Sequence, residues 1–181
     1  ATSGIAKSVD VPIDLKIADV TGNVGEIVNV PIDVTSPALT TSDSVISYEF
    51  DVDFDRTVLE PVGVVVEGTF SAEELILNNL ATLEQNPDSS VWRFAAAVAN
   101  PYTGVLPLAI LQFEIVGGPG DVGTIDFVEA KFNEAPHYLG TLVGGSVEVN
   151  IAPSIDLEYE GSVTIPEGQP FEMLVTGTDP D

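Results

Sequence analysis

The chain has 181 residues, no Cys, and 29 acidic side chains against 5 basic ones, for a formal net charge of −24. That balance excludes nucleic acid and anionic membranes as partners, because both are bound through cationic side chains, and the missing thiols exclude disulfides. No apolar run is long enough to span a bilayer, so no membrane insertion is expected. With 44% hydrophobic residues the sequence is that of a chain with a core rather than a solvated acidic tail.

The first periodic stretch is Ser8–Asp19, with Val9, Val11, Ile13, Leu15 and Ile17 at every second position, the pattern of a half-buried strand. Pro12 within it points to an edge strand. Thr21–Gly25 reads as a turn. Glu26–Val34 reads as a second strand, with Pro31 again marking an edge or a bulge. After a polar loop at Ser36–Asp43, Val45–Asp55 alternates most clearly. Ile46, Tyr48, Phe50, Val52 and Phe54 are expected on one face, with Phe50 and Phe54 as core anchors. Ser47, Glu49, Asp51, Asp53 and Asp55 are expected on the other, toward water, cations or a partner. Val62–Val66 is a short strand. Ser71-Ala-Glu-Glu74 fits a capping box, which predicts a short helix over Leu75–Leu80. Val91–Ala99, Leu108–Val116, Thr124–Phe132 and Gly145–Val149 complete the strands. Eight or nine short strands and little helix predict an all-β sandwich or jelly roll.

Residues Ile151–Ser154 read as a linker, and Ile155–Asp181 carries seven acidic residues, no basic one and two strand-like runs. Two strands cannot bury a core of their own, so this segment is expected to belong to a following domain or to pack on another sheet edge. The domain reading is therefore an N-terminal extension over 1–17, a sandwich over 18–149, a linker over 150–154 and an incomplete β segment over 155–181. The opening Ala-Thr-Ser-Gly has no signal-peptide pattern, so any such segment is expected to have been removed.

Four matches in order, over about 130 residues, resemble the cohesin family, the receptor modules of cellulosomal scaffoldins. Gly22-Asn-Val-Gly-Glu-Ile-Val-Asn-Val-Pro31 is similar to the family's opening segment. Tyr48–Glu60 resembles its F-x-[VL]-x-[YF]-D-x-x-V-L-E segment, and Gly68 follows at the place of a family glycine. Leu108–Val116 with Gly120–Phe127 resembles the late core strands, and Gly144-Gly-Ser-Val-Glu-Val149 the terminal strand. The resemblance implies a jelly-roll sandwich of about nine strands, related to cellulose-binding modules. The implied partner is a dockerin, a small calcium-loaded helical module that docks on one flat sheet face. The docking strand corresponds to Val45–Asp55, with the family's polar contacts at Ser47 and Glu49, where Ser and Glu replace the usual Asn and Asp. With the acidic row of this sequence, that makes Ser47, Glu49, Asp51 and Asp53 the candidate partner-binding residues. The loops Asn100–Gly104 and Asn133–Gly140 would border the face.

Catalysis finds little support. His137 is the sole His and there is no Cys, so a Ser-His-Asp arrangement rests on one loop residue, and among 29 carboxylates a glycosidase-like pair arises by chance. The chain is read as a non-enzyme. Trp92 is expected in the core or at a sheet edge, with a sugar-stacking platform as the other reading. In the last segment, Pro166-Glu-Gly-Gln-Pro170 and Thr178-Asp-Pro-Asp181 are similar to the opening of a cadherin-like or bacterial Ig-like repeat. There Glu167, Asp179 and Asp181, with Asn150 at the linker, would supply oxygens to calcium; Asp-Pro-Asp is equally an ordinary turn. For the acidity as a whole, a surface solvated at high salt, calcium sites and a basic partner remain open. So do three functional classes: an extracellular or cell-surface protein-binding module, a structural repeat of an adhesin or filament whose partner is a neighbouring β domain, and a module that binds polysaccharide.

Overall fold

The computed structural model describes residues 12–40, 43–70, 72, 75–133 and 139–151. Among them run eleven strands and one helix: β1 (Ile13–Ile17), β2 (Val20–Gly22), β3 (Ile27–Ser36), β4 (Ser47–Phe54), β5 (Leu59–Val65), β6 (Leu75–Asn78), α1 (Leu80–Gln85), β7 (Val91–Ala97), β8 (Pro107–Ile115), β9 (Val122–Phe132), β10 (Leu139–Val143) and β11 (Gly145–Val149). They form a five-stranded sheet in the order β10-β1-β3-β8-β5 and a six-stranded sheet in the order β2-β11-β9-β4-β7-β6. The alternation of the sequence supplies both inner faces. Ile13, Leu15, Ile17, Val30, Ile32, Leu111 and Phe113 are buried from the first sheet, and Phe50, Val52, Trp92, Phe94, Ile125 and Phe132 from the second. The sheets meet where Phe113 packs on Phe54 and Trp92, at ring-centroid distances of 5.2 and 5.4 Å. The expected all-β jelly-roll sandwich is what the chain forms.

Two prolines sit differently from expectation. Strand β1 is not an edge: it lies between β10 and β3. Pro12 precedes its first residue, so the missing N–H costs no ladder bond. Nor is β3 an edge, since it lies between β1 and β8. The Pro31 carbonyl accepts from Ala18 N, just past the end of β1. A residue's N–H and C=O project to the same side of a strand, so Pro31 lacks its donor where β1 has already ended. The bulge alternative holds one residue on, where the β3–β8 register shifts between Ile32 and Asp33. The extra residue opposite that shift, Leu108, has its carbonyl bonded by the buried Tyr48 hydroxyl from the other sheet.

The helix predicted over Leu75–Leu80 is also displaced. Leu75–Asn78 pairs antiparallel with β7 as an edge strand, and the helix starts later, at Leu80. Of the capping-box residues, Ser71, Glu73 and Glu74 lie outside the described residues. The switch is made by two asparagines. Asn78 Oδ1 accepts from Leu80 N at 3.0 Å. The Asn79 amide accepts from Arg93 N at 2.8 Å and donates to Val91 O at 3.2 Å, so its side chain adds to the ladder bond that its backbone N–H makes to Arg93 O at 3.3 Å. The short β2, β6 and β10 carry too few residues for an alternation to register in sequence.

Candidate protein-binding face

Strand β4 is central in the six-stranded sheet, and its outward side chains meet those of β7 and β9. Ser47 lies opposite Ala97, Glu49 opposite Ala95 and Asp51 opposite Arg93. On the other side Glu49 lies opposite Lys131, Asp51 opposite Glu129 and Asp53 opposite Asp126. Two regions result. Toward β6, Ala95, Ala97, Ser47, Glu49 and Leu77 line a shallow depression that leaves the Leu77 side chain 64% exposed. The small side chains of β7 leave the sheet surface open there. Toward the C-terminal end of β4 the face is charged.

The expected acidic row is thus divided. Of the alternatives for the outward row, water, cations or a partner, Asp51 takes the cation and is buried by it. The Arg93 guanidinium covers it with two hydrogen bonds, Nε to Oδ1 at 2.7 Å and Nη2 to Oδ2 at 2.6 Å. A buried carboxylate needs such a partner, so Asp51 is a structural residue of the face rather than a free contact. The same guanidinium lies 3.5 Å from Glu49 Oε1, and its pKa is raised, chiefly by the hydrogen bonds it donates to Asp51 and by the Asp51 charge. Lys131 is likewise held protonated, first by its hydrogen bond with Glu129, at 2.8 Å. Ser47 and Glu49 are half-buried and Asp53 is exposed. Asp53 and Asp126, directly opposed, take part in no ion pair among the described residues. The other two described cations are also committed, Lys16 to Asp19 and Arg56 to Glu60. Asp55, expected in the outward row, instead accepts from Thr57 N and Oγ1 in a turn.

The open end of β4 departs from the predicted alternation. Ile46 was placed in the buried row but is 43% exposed, and Val45 is buried instead. Here Asn133 Oδ1 accepts from both Ile46 N and Ser47 N, at 2.9 and 3.3 Å. In a regular strand successive N–H groups point to opposite sides; two consecutive ones aimed at a single oxygen mark a bulge-like break in phase. Of the bordering loops, Asn100–Gly104 turns Tyr102 into the core, where it packs on Tyr48 at 5.4 Å. Trp92 is fully buried, so it is a core residue and not a sugar platform; its indole N–H has no hydrogen-bond partner among the described residues.

His137 lies outside the described residues, as do the calcium candidates Glu167, Asp179 and Asp181. The fourth candidate, Asn150, is described: its amide donates to Asn23 Oδ1 at 3.3 Å and its backbone N–H to Gly22 O at 2.9 Å. Among the described residues no three His, Cys, Asp or Glu side chains are grouped to hold a metal ion. No described helix is long and apolar enough to cross a membrane. Arg93, Lys131, Leu77 and the paired alanines were not singled out from sequence. Arg93, Ala95 and Ala97 do share one parity of β7, but which strand lies beside them is a matter of register.

The class of fold is a jelly-roll sandwich whose six-stranded sheet presents a mixed apolar and acidic outer face. Comparison with known proteins gives the same class. Residues 13–91 match the family model of the cohesin domain, which bears out the resemblance read from the motifs. Among solved structures, the seventh scaffoldin ScaB type I cohesin of Pseudobacteroides cellulosolvens is 16% identical, with a TM-score of 0.60 over 83% of this chain and 99% of that one. The sixth cohesin of scaffoldin B from Acetivibrio cellulolyticus, solved with a mutant Cel5 dockerin, is 18% identical, with a TM-score of 0.59 over 77% and 99%. A non-cellulosomal cohesin from the archaeon Archaeoglobus fulgidus is 12% identical, with a TM-score of 0.58 over 76% and 91%. At these identities the likeness is one of fold. No curated protein sequence matches the chain significantly.

Proposed function

We propose that this chain is a non-catalytic receptor module of an extracellular or cell-surface protein, and that the outer face of its six-stranded sheet docks a dockerin-type protein module. One observation carries the reading. On a cohesin-type sandwich, Ser47 and Glu49 stand side by side on the central strand β4, above the open floor made by Ala95 and Ala97. The floor admits apolar side chains of a partner, and the exposed Leu77 at its rim adds apolar area. Glu49 and Asp53 supply polar contacts that select partner and orientation more than they add affinity. With the four described cations already paired, the face favours a neutral to basic partner surface. The solved relatives include cohesin–dockerin complexes, which supports the partner class.

The test is calorimetric titration of a panel of purified dockerin modules, with and without calcium, into the wild-type chain and into Glu49→Lys and Leu77→Asp. Saturable 1:1 binding, weakened roughly tenfold or more in Glu49→Lys, near the centre of the face, and weakened also in Leu77→Asp at its edge, supports the proposal. If no dockerin binds, the docking reading is refuted and the role of a structural β repeat takes its place; if a dockerin binds both variants like the wild type, this face is refuted as its site.

A further inference from the structure

The phase break before β4 is held by one side chain, and that side chain stands at the end of the next strand. Asn133 follows the last residue of β9, Phe132, which pairs with Tyr48. The β4–β9 ladder would stop there. Instead Asn133 extends it with four hydrogen bonds. Its Oδ1 accepts from Ile46 N at 2.9 Å and Ser47 N at 3.3 Å, its Nδ2 donates to Ser44 O at 2.9 Å, and its own backbone N–H donates to Ser47 O at 3.0 Å. Asn133 adopts φ 51°, a left-handed conformation that Asn tolerates better than most residues. Only a short side chain carrying both an acceptor and a donor can make the three side-chain bonds from that position.

The consequence concerns Val45 and Ile46, at the entry to the docking strand. Strand side chains alternate, so a one-residue slip exchanges the two faces. Val45 and Tyr48 both point inward, three positions apart rather than two, and the extra residue is taken up at Ile46 and Ser47, the two amides that Asn133 gathers. On the β7 side the same segment is tied by Val98 N to Ile46 O and Tyr102 N to Val45 O, at 2.9 and 2.8 Å. These bonds fix where the segment lies but gather no consecutive amides. We infer that Asn133 is the positioning residue at the entry to the docking strand: its carboxamide locks the break that turns Val45 inward and leaves Ile46 exposed beside Ser47 at that end of the outer face. This rests on the docking reading for its functional consequence, though not for its structural one.

Three variants test it. Asn133→Gly keeps the left-handed backbone and removes the amide. Asn133→Asp keeps the oxygen that accepts from both N–H groups and loses the donor to Ser44. Asn133→Ala adds backbone strain to the loss of the amide. Hydrogen exchange by NMR reads the amides of Ile46 and Ser47 against those of Phe50 and Val52 in the same strand. In Asn133→Gly, exchange at 46 and 47 is expected to rise tenfold or more with 50 and 52 unchanged, and affinity for a dockerin that binds the wild type is expected to fall about tenfold. Asn133→Asp should restore both to within about threefold. Unchanged exchange at 46 and 47 in Asn133→Gly overturns the inference. So does an equal rise at all four amides, which would report global destabilisation. So does failure of Asn133→Asp to slow exchange at the two amides. If no dockerin binds the wild type, the docking reading fails by itself and the exchange data still decide the positioning role.

Discussion

The pairing of Asp51 with Arg93 makes a quantitative prediction. The Asp51 side chain is 8% exposed and that of Arg93 57%, with both carboxylate oxygens engaged at 2.7 and 2.6 Å. Removing one partner of a fully buried ion pair costs about 3–5 kcal/mol, because the other charge is left uncompensated. Here the guanidinium is half in water, and the screening that reduces exposed pairs to about 0–1 kcal/mol applies in part. The coupling should lie between these limits, at about 1–2 kcal/mol, as for hydrogen bonds to charged groups. Arg93→Ala alone should be the more damaging single change, since it leaves Asp51 buried beside Glu49 and opposite Glu129. Asp51→Ala removes the buried charge together with the bond. The assay is urea denaturation of the wild type, both single variants and the double variant at fixed ionic strength. With a urea slope of about 1–3 kcal/mol/M, a coupling of that size moves midpoints by several tenths molar or more. A coupling below about 0.3 kcal/mol, the level at which independent sites add, would refute the argument. Reversal of Asp51 to Lys is therefore a perturbation of stability before it is a probe of binding.

Phe54 is 3% exposed and packs on Phe113 across the sandwich at 5.2 Å, so Phe54→Ala should destabilise by about 3–5 kcal/mol and lower the melting temperature well beyond error; an unchanged melt would mean that the faces of β4 are reversed. With a net charge of −24 and Asp53 set directly opposite Asp126, the melting temperature should rise with NaCl as the Debye length shrinks from about 30 Å at 0.01 M to about 3 Å at 1 M. Asp53→Lys should flatten that rise, and scanning calorimetry showing a flat or falling wild-type curve would count against surface repulsion as a determinant of stability.

Much of the sandwich was legible because burial on one side of a sheet imposes a period of two. The alternation in β1 and β4 marked strands and identified Phe50 and Phe54 as buried before any pairing was known, whereas Trp92 could be read only as core or sheet edge, with a sugar platform as the alternative. The candidate face was legible in part. The β4 parity that buries Phe50 necessarily turns Ser47, Glu49 and Asp53 outward, and Asp51 shares that parity while being buried all the same. Its burial comes from a neighbour 42 positions away in sequence, and no local pattern carries that. The helix predicted at Leu75 failed for a related reason: a few residues with a plausible cap also make an acceptable edge strand once β7 offers them backbone partners, and tertiary context overrides such weak preferences.

Sequence by itself therefore determined the class of fold, the inner faces of the long strands, the acidic surface and the resemblance to cohesins, all of which rest on local periodicity, composition or short motifs. The tertiary structure decided what depends on register between distant strands: that Arg93 covers Asp51, that Lys131 stands opposite Glu49, that Asp53 meets Asp126, and that Asn133 closes the end of β4. The physical reason is that side-chain alternation is written along one strand, whereas cross-strand partners are chosen by how whole sheets bury their apolar faces and satisfy their backbone hydrogen bonds together.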